Sequence, residues 1–222
     1  MTPYTLTLQG YWRSSASWRV RVALHLKGLD YRYEAVHLVR DGGEHLKDPY
    51  LQLNPMGQVP LLRVSGGDLP AGEERLLTQS VAIMDLLDHV APSPLMFPRE
   101  PWARARVLQL TEVINSGIQP LQNLSVLRRV GELGGDREAW AAEFIGRGLA
   151  ALERLCAADA SPFLAGDAPT AADACLAPQL YNARRYGLDV GRFPRLRAVE
   201  ERCAALDAFE RARPERQPDA AP

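Results

Sequence analysis

The sequence predicts a chain of mixed class, an α/β segment of order βαβ–ββα followed by an all-α segment. Three observations predict it. Alternating and helical apolar periodicities interleave through residues 1–90. Prolines at 92, 94 and 98 then break regular structure. Beyond Pro101, Ala, Leu, Arg and Glu dominate and strand signals vanish. The expected organisation is residues 1–90, a linker over 91–101 and a helical part over 102–222.

Tyr4-Thr5-Leu6-Thr7-Leu8 is the first strand candidate. It feeds Arg13-Ser14-Ser15-Ala16-Ser17-Trp18, which opens a helix. Serines at a helix start accept from backbone N–H groups that have no helical partner. Those N–H groups and the positive end of the helix dipole also favour an anion. The stretch therefore reads either as a plain N-cap or as a seat for a thiolate, phosphate or carboxylate. Trp18, Val22, Ala23 and Leu26 share one helical face, and Lys27-Gly28 suits the C-cap. Leu29, Tyr31, Tyr33 and Ala35 then alternate with polar residues, giving a second strand and a parallel pair.

Residues 39–53 read as a polar loop with one helical turn. In Asn54–Val64, Pro60 stands at the start of a strand, where its missing N–H does least harm. Leu61–Val64, the Gly66-Gly67 turn and Glu74–Leu77 predict a hairpin. Thr78-Gln79-Ser80 heads a second serine-led helix. In the helical part, helices are expected at 102–130, 136–157, 170–186 and 194–210. Thr170-Ala171-Ala172-Asp173 is a capping box in its Asp form, with a structural role. From Arg213 to Pro222 a loose tail is expected.

Composition narrows the function classes. A net charge of −1 over 222 residues points to neither nucleic acid nor an anionic membrane. Lys27 and Lys47 are the only lysines, so a single arginine is weak evidence for a site. Cys156, Cys175 and Cys203 lack ligand spacing and read as reduced thiols of a cytoplasmic protein. The four histidines show no metal-binding pattern. The first residues are strand-like rather than a secretory signal, and no apolar run is long enough to span a bilayer.

Five segments carry a resemblance to a known family. Ser14-Ser15-Ala16-Ser17-Trp18-Arg19-Val20-Arg21 is similar to the first signature of the zeta class of glutathione transferases, the class that includes maleylacetoacetate isomerase. Leu53–Pro60, Gln79-Ser80 and Gly117-Ile118-Gln119-Pro120-Leu121-Gln122-Asn123-Leu124-Ser125-Val126-Leu127 resemble it too, as does Arg216-Gln217-Pro218-Asp219. The resemblance spans essentially the whole chain. It implies a thioredoxin-like first domain, a helical second domain, a homodimer and glutathione as cofactor.

The resemblance further implies cis–trans isomerisation of maleylacetoacetate to fumarylacetoacetate in tyrosine and phenylalanine catabolism. A thiolate adds to the alkene carbon β to the ketone and places charge on an enolate oxygen. Rotation about the resulting single bond and expulsion of the thiolate give the trans alkene. Ser14 and Ser15 would favour the thiolate, with Arg13 flanking. A cis Val59-Pro60 would expose the Val59 backbone to the tripeptide. Gln79 and Ser80 would hold its γ-glutamyl carboxylate, with Gln119 reaching in. Arg185 would anchor a substrate carboxylate through two bonds, and Arg13 would assist.

One departure stands out. The family pattern has a cysteine where this chain has Ala16. Because the catalytic sulfur comes from glutathione, the resemblance still implies turnover. The glutathione-dependent maleylpyruvate isomerases resemble the chain as well, but tend to carry a basic pair where it has Leu124-Ser125. Two further classes compete: a general transferase conjugating electrophiles, and a non-catalytic glutathione-fold binding protein.

Overall fold

The computed structural model describes residues 3–220. The chain packs as two compact units. One runs up to Met96 and takes in the chain from Asp207 onward; the other is Phe97–Leu206.

The first unit is built on a four-stranded sheet of order β2-β1-β3-β4. Its strands are β1 (Tyr4–Gly10), β2 (Arg32–Ala35), β3 (Leu61–Gly66) and β4 (Glu74–Thr78). β1 pairs parallel with β2 and antiparallel with β3, and β3 pairs antiparallel with β4. The alternation of Leu6, Leu8, Leu62 and Val64 puts these side chains into the core, each no more than 4% exposed. α1 (Ser15–Leu26) crosses between the parallel strands, α2 (Asp48–Leu51) follows two 3-10 turns, and α3 (Ser80–Val90) follows β4. The sheet and these helices form the thioredoxin-like half that the resemblance implies.

α1 is buried on more faces than its predicted stripe. Every residue from Ser15 to Leu24 is buried, Arg19 and Arg21 included. Its neighbours account for this, since it packs against α3 and against α9 (Asp207–Ala212), which returns from far along the chain. Gly28 closes the helix at φ 62°, a left-handed conformation that glycine adopts without strain.

The start of the expected linker is bonded to the end of α1. Lys27 Nζ donates to the carbonyls of Ala91 at 2.6 Å and Pro94 at 2.8 Å, and pairs with Asp88 at 2.8 Å. Asp88 also accepts the Met96 N–H. A buried cation is tolerated because each of its donors meets an oxygen.

The second unit is helical: α4 (Pro101–Asn115), α5 (Leu124–Glu132), α6 (Arg137–Cys156), α7 (Ala171–Arg185) and α8 (Pro194–Ala204). The single helix expected over 102–130 is two. Pro120 lacks an N–H, and a Cβ on Gly117 would lie 2.6 Å from the Val113 carbonyl oxygen, so the chain turns there. Asn123 then caps α5 by accepting the Ser125 N–H. The helix expected over 194–210 is likewise two, α8 and α9, separated at Ala205-Leu206. The Thr170–Asp173 capping box is present, with both reciprocal bonds formed.

The loose tail is also corrected. Pro214–Arg216 form a 3-10 turn, and the buried Gln217 side chain donates to the carbonyls of Arg211 and Arg213. Asp219 bonds to the β1–α1 loop. A chain terminus is expected to be loose, but these donors and acceptors tie it down. Ala221 and Pro222, the remainder of that expected tail, lie outside the described residues.

Candidate functional site

Sheet register decides which segments meet. Gln9 pairs with Leu61, and Leu61 with Thr78. The end of β1, the start of β3 and the end of β4 therefore lie side by side at one end of the sheet. From these three ends run the loop Tyr11–Ser14, the Val59-Pro60 dipeptide and Gln79-Ser80. Most of the site candidates from the first unit are thus delivered to one place by backbone pairing alone.

Ser14 is extended (φ −67°, ψ 120°) and caps α1 by accepting the Ser17 N–H at 3.2 Å. That bond uses an oxygen lone pair and leaves the hydroxyl hydrogen to donate. Ser15 and Ala16 occupy the first turn, whose N–H groups have no helical acceptor. Ser15 is buried and Ser14 only half-buried, so Ser14 is the more accessible hydroxyl. Arg13, next to it, lays its guanidinium over the Trp12 ring at 5.1 Å.

The Val59-Pro60 bond is cis. Among the described residues neither the N–H nor the carbonyl of Val59 bonds to another group, while the preceding Gln58 carbonyl accepts from Tyr50 and Asn54, each at 2.6 Å. An unpaired peptide edge beside β3 can take an extended ligand as an added strand.

Gln79 has φ 71°, a left-handed backbone that favours glycine, and such outliers concentrate at ligand sites. It caps α3 without any side-chain bond to the first-turn N–H groups. That helix start is open to an anion. Ser80 is 4% exposed, and its Oγ accepts from Arg19 Nη1 at 3.3 Å.

Gln119 and Arg185 belong to the second unit. Gln119 opens a 3-10 turn, Gln119–Gln122, and is half-buried. Arg185 ends α7 exposed, its guanidinium over Tyr186 at 5.4 Å. The adjacent Arg184 makes a two-pronged pair with Glu200, at 2.6 and 2.5 Å. Among the described residues Arg185 and Arg13 have no carboxylate partner, so both cations are uncommitted.

Composition hid two groups. Arg19 contacts Ser80, and Asp219 contacts Trp12. The available signal for the arginine was a helix with apolar residues on every face, which marks a fully buried element and makes its arginines unusual. The available signal for Asp219 was its place in Arg216-Gln217-Pro218-Asp219, the ending that resembles the family.

A sheet unit of this strand order, with two helix starts and a cis-proline edge at one end, defines a thioredoxin-like fold. Profiles of known families agree. The glutathione S-transferase N-terminal domain matches residues 13–90, and the glutathione S-transferase C-terminal domain matches residues 136–202. The maleylacetoacetate isomerase of Mus musculus is 41% identical over 212 residues, 96% of this chain and 94% of its own. The maleylacetoacetate isomerase of Anaeromyxobacter dehalogenans, solved with glutathione bound in the active site, is 49% identical with a TM-score of 0.89 and covers 100% of both chains. A maleylpyruvate isomerase described as a bacterial zeta-class glutathione transferase is 39% identical, TM-score 0.88, over 97% of this chain and 100% of its own. The chain belongs to the glutathione S-transferase family, in its zeta-class maleylacetoacetate isomerase branch.

Proposed function

We propose that the chain is a glutathione-dependent isomerase converting maleylacetoacetate to fumarylacetoacetate, within the breakdown of tyrosine and phenylalanine. One observation carries the reading: the sheet register sets the Ser14-Ser15 helix start, the open Val59 edge and the open α3 start at one end of the sheet. These suit the three parts of glutathione, namely a thiol, a peptide unit and a γ-glutamyl carboxylate.

Bound glutathione supplies a thiolate that adds to the alkene and leaves after rotation. The chain does the rest. The Ser14 hydroxyl and the free N–H groups of α1 hold negative charge on the sulfur, and the α1 dipole adds to them. The Val59 backbone and the Gln79-Ser80 helix start orient the tripeptide, and Arg19 brings a positive charge to Ser80. Gln119, in the helical unit, is the further residue that the family resemblance assigns to glutathione. Arg185, with Arg13 assisting, offers a charged fork to the substrate carboxylates. Ala16 is silent in this scheme.

Isomerisation of maleylpyruvate is the second reading, favoured by the similarity to the maleylpyruvate isomerase above. Leu124 and Ser125, the former 41% exposed and both without charge, support maleylacetoacetate. The deciding experiment assays maleylacetoacetate, maleylpyruvate and a chloro-dinitro aromatic, each with and without glutathione. Fastest turnover of maleylacetoacetate, dependent on glutathione, is expected. Conjugation of the aromatic without either isomerisation would establish a general transferase instead.

The reading extends to a cytoplasmic homodimer. Three unbridged cysteines support a reducing compartment. Met56, 65% exposed, and Leu76 on the edge strand β4 offer apolar surface for a second copy. Light scattering on the purified chain tests the dimer.

A further inference from the structure

We propose that Asp219 is a positioning residue for the sulfur site: from beyond α9 it fixes the peptide that presents Arg13 and Ser14. The inference rests on the Ser14 reading above.

The geometry is a clamp closed from two sides. Asp219 Oδ2 accepts the Trp12 N–H at 3.0 Å and the Tyr33 hydroxyl at 3.3 Å. On the other side, Arg21 Nη2 donates to the Trp12 carbonyl at 2.8 Å and Nη1 to the Tyr11 carbonyl at 3.4 Å. Trp12 is thereby held at both its N–H and its carbonyl. The same Tyr11 carbonyl accepts the Ser14 N–H at 3.0 Å, so the clamp reaches Ser14 through one shared oxygen. Arg21 Nε also donates to the Ala212 carbonyl at 3.0 Å, tying α1 to the helix that leads to Asp219.

The charges agree with the bonds. Arg21 is fully buried and its three acceptors are neutral carbonyls. Burial lowers it to about 10, and the nearby Asp219 is among the groups that oppose this. The second oxygen of Asp219, Oδ1, is buried with no bond among the described residues. A carboxylate with one oxygen left unsatisfied is a poor device for stability alone. Its other oxygen, however, fixes the Trp12 N–H, within the loop that leads to Ser14.

The test compares Asp219→Ala with Asp219→Asn, the latter keeping an oxygen that can accept the Trp12 N–H. Thiolate formed on binding glutathione is followed by its ultraviolet absorbance against pH, beside kcat, the glutathione KM and the melting temperature. Asp219→Ala should raise the midpoint of the bound thiol by about half a unit or more and lower kcat at least ~tenfold. Its glutathione KM should hold within about twofold, because Val59, Gln79 and Ser80 are untouched. Asp219→Asn should restore most of both. An unchanged midpoint with kcat falling only as the protein melts would overturn the proposal, leaving a structural brace. Equal shifts in both variants would overturn it too, by making charge rather than position the cause. If the unsubstituted protein forms no thiolate with glutathione, the functional reading fails first and this inference with it.

Discussion

Under the proposed function Ser14 does two jobs with one side chain. Its oxygen caps α1 by accepting from Ser17 N–H, while its hydrogen is free for the sulfur. Ser14→Ala removes both. The lost cap should cost about 1 kcal/mol of stability. The lost donor should cost ~2–4 kcal/mol in the transition state, as for other donors aimed at developing charge. The pH–rate profile should move to the alkaline side, since the bound thiol loses a group that favours its charged form. A profile that shifts in Ser15→Ala and not in Ser14→Ala would reassign the hydroxyl. Ala16 makes a simpler case. It is 9% exposed in the first turn of α1 and offers no nucleophile, so saturating glutathione alone should sustain turnover. Binding of glutathione without isomerisation of either cis substrate would show that a thiol on the protein is needed.

At the scale of elements, α1 shows how far the sequence could be read. Its start at Ser14-Ser15 and its stop at Lys27-Gly28 were legible, because caps are local chemistry. So were the hairpin of β3 and β4 and the capping box of α7. What α1 packs against was not. α9 lies some two hundred residues downstream, and its return accompanies the burial of Arg21 and the half-burial of the nearby His25. The break at Gly117–Pro120 was hidden for the opposite reason. The motif was visible, but a run of apolar residues on both sides continued the helical period.

The α1–α9 packing has a pH signature. Burial, with Arg211 and Arg21 close by, pushes His25 down to about 4, and Asp207 only partly opposes this. Tyr31 shares a hydrogen bond with its ring at 3.3 Å. The folded value lies below the ordinary value of 6.5, so the unfolded chain binds the proton more readily. The stability tied to neutral His25 is complete above pH 6.5 and is lost as pH falls toward 4. Melting temperatures of the unsubstituted protein and His25→Gln, measured from pH 7.5 to 4 as roughly the span of that transition, should therefore differ by a gap that shrinks on acidification. Parallel curves would mean that the imidazole titrates as if unfolded.

For the whole molecule, the two units divide the work in a way that one substitution can expose. Under the proposed function, thiolate formation and tripeptide binding would draw mainly on the first unit, through Ser14, Val59, Gln79 and Ser80. Arg185 sits in the second, exposed and without a carboxylate partner among the described residues, beside an Arg184 already committed to Glu200. Arg185→Ala should therefore spare the fold, because among the described residues no ion pair of the helical unit depends on it. It should leave glutathione affinity nearly constant and take away a fork for a substrate carboxylate. Charge-assisted bonds are roughly twice as strong as neutral ones, so kcat/KM for maleylacetoacetate should fall at least ~tenfold, the loss of about 1.4 kcal/mol. Conjugation of a neutral chloro-dinitro aromatic, which offers no carboxylate, should barely change. The ratio of the two activities in one preparation of the variant is the decisive measurement, because misfolding lowers both together. Equal loss of both would assign Arg185 to the fold or to the thiolate, and the anchor for the dicarboxylate would have to be sought in Arg13.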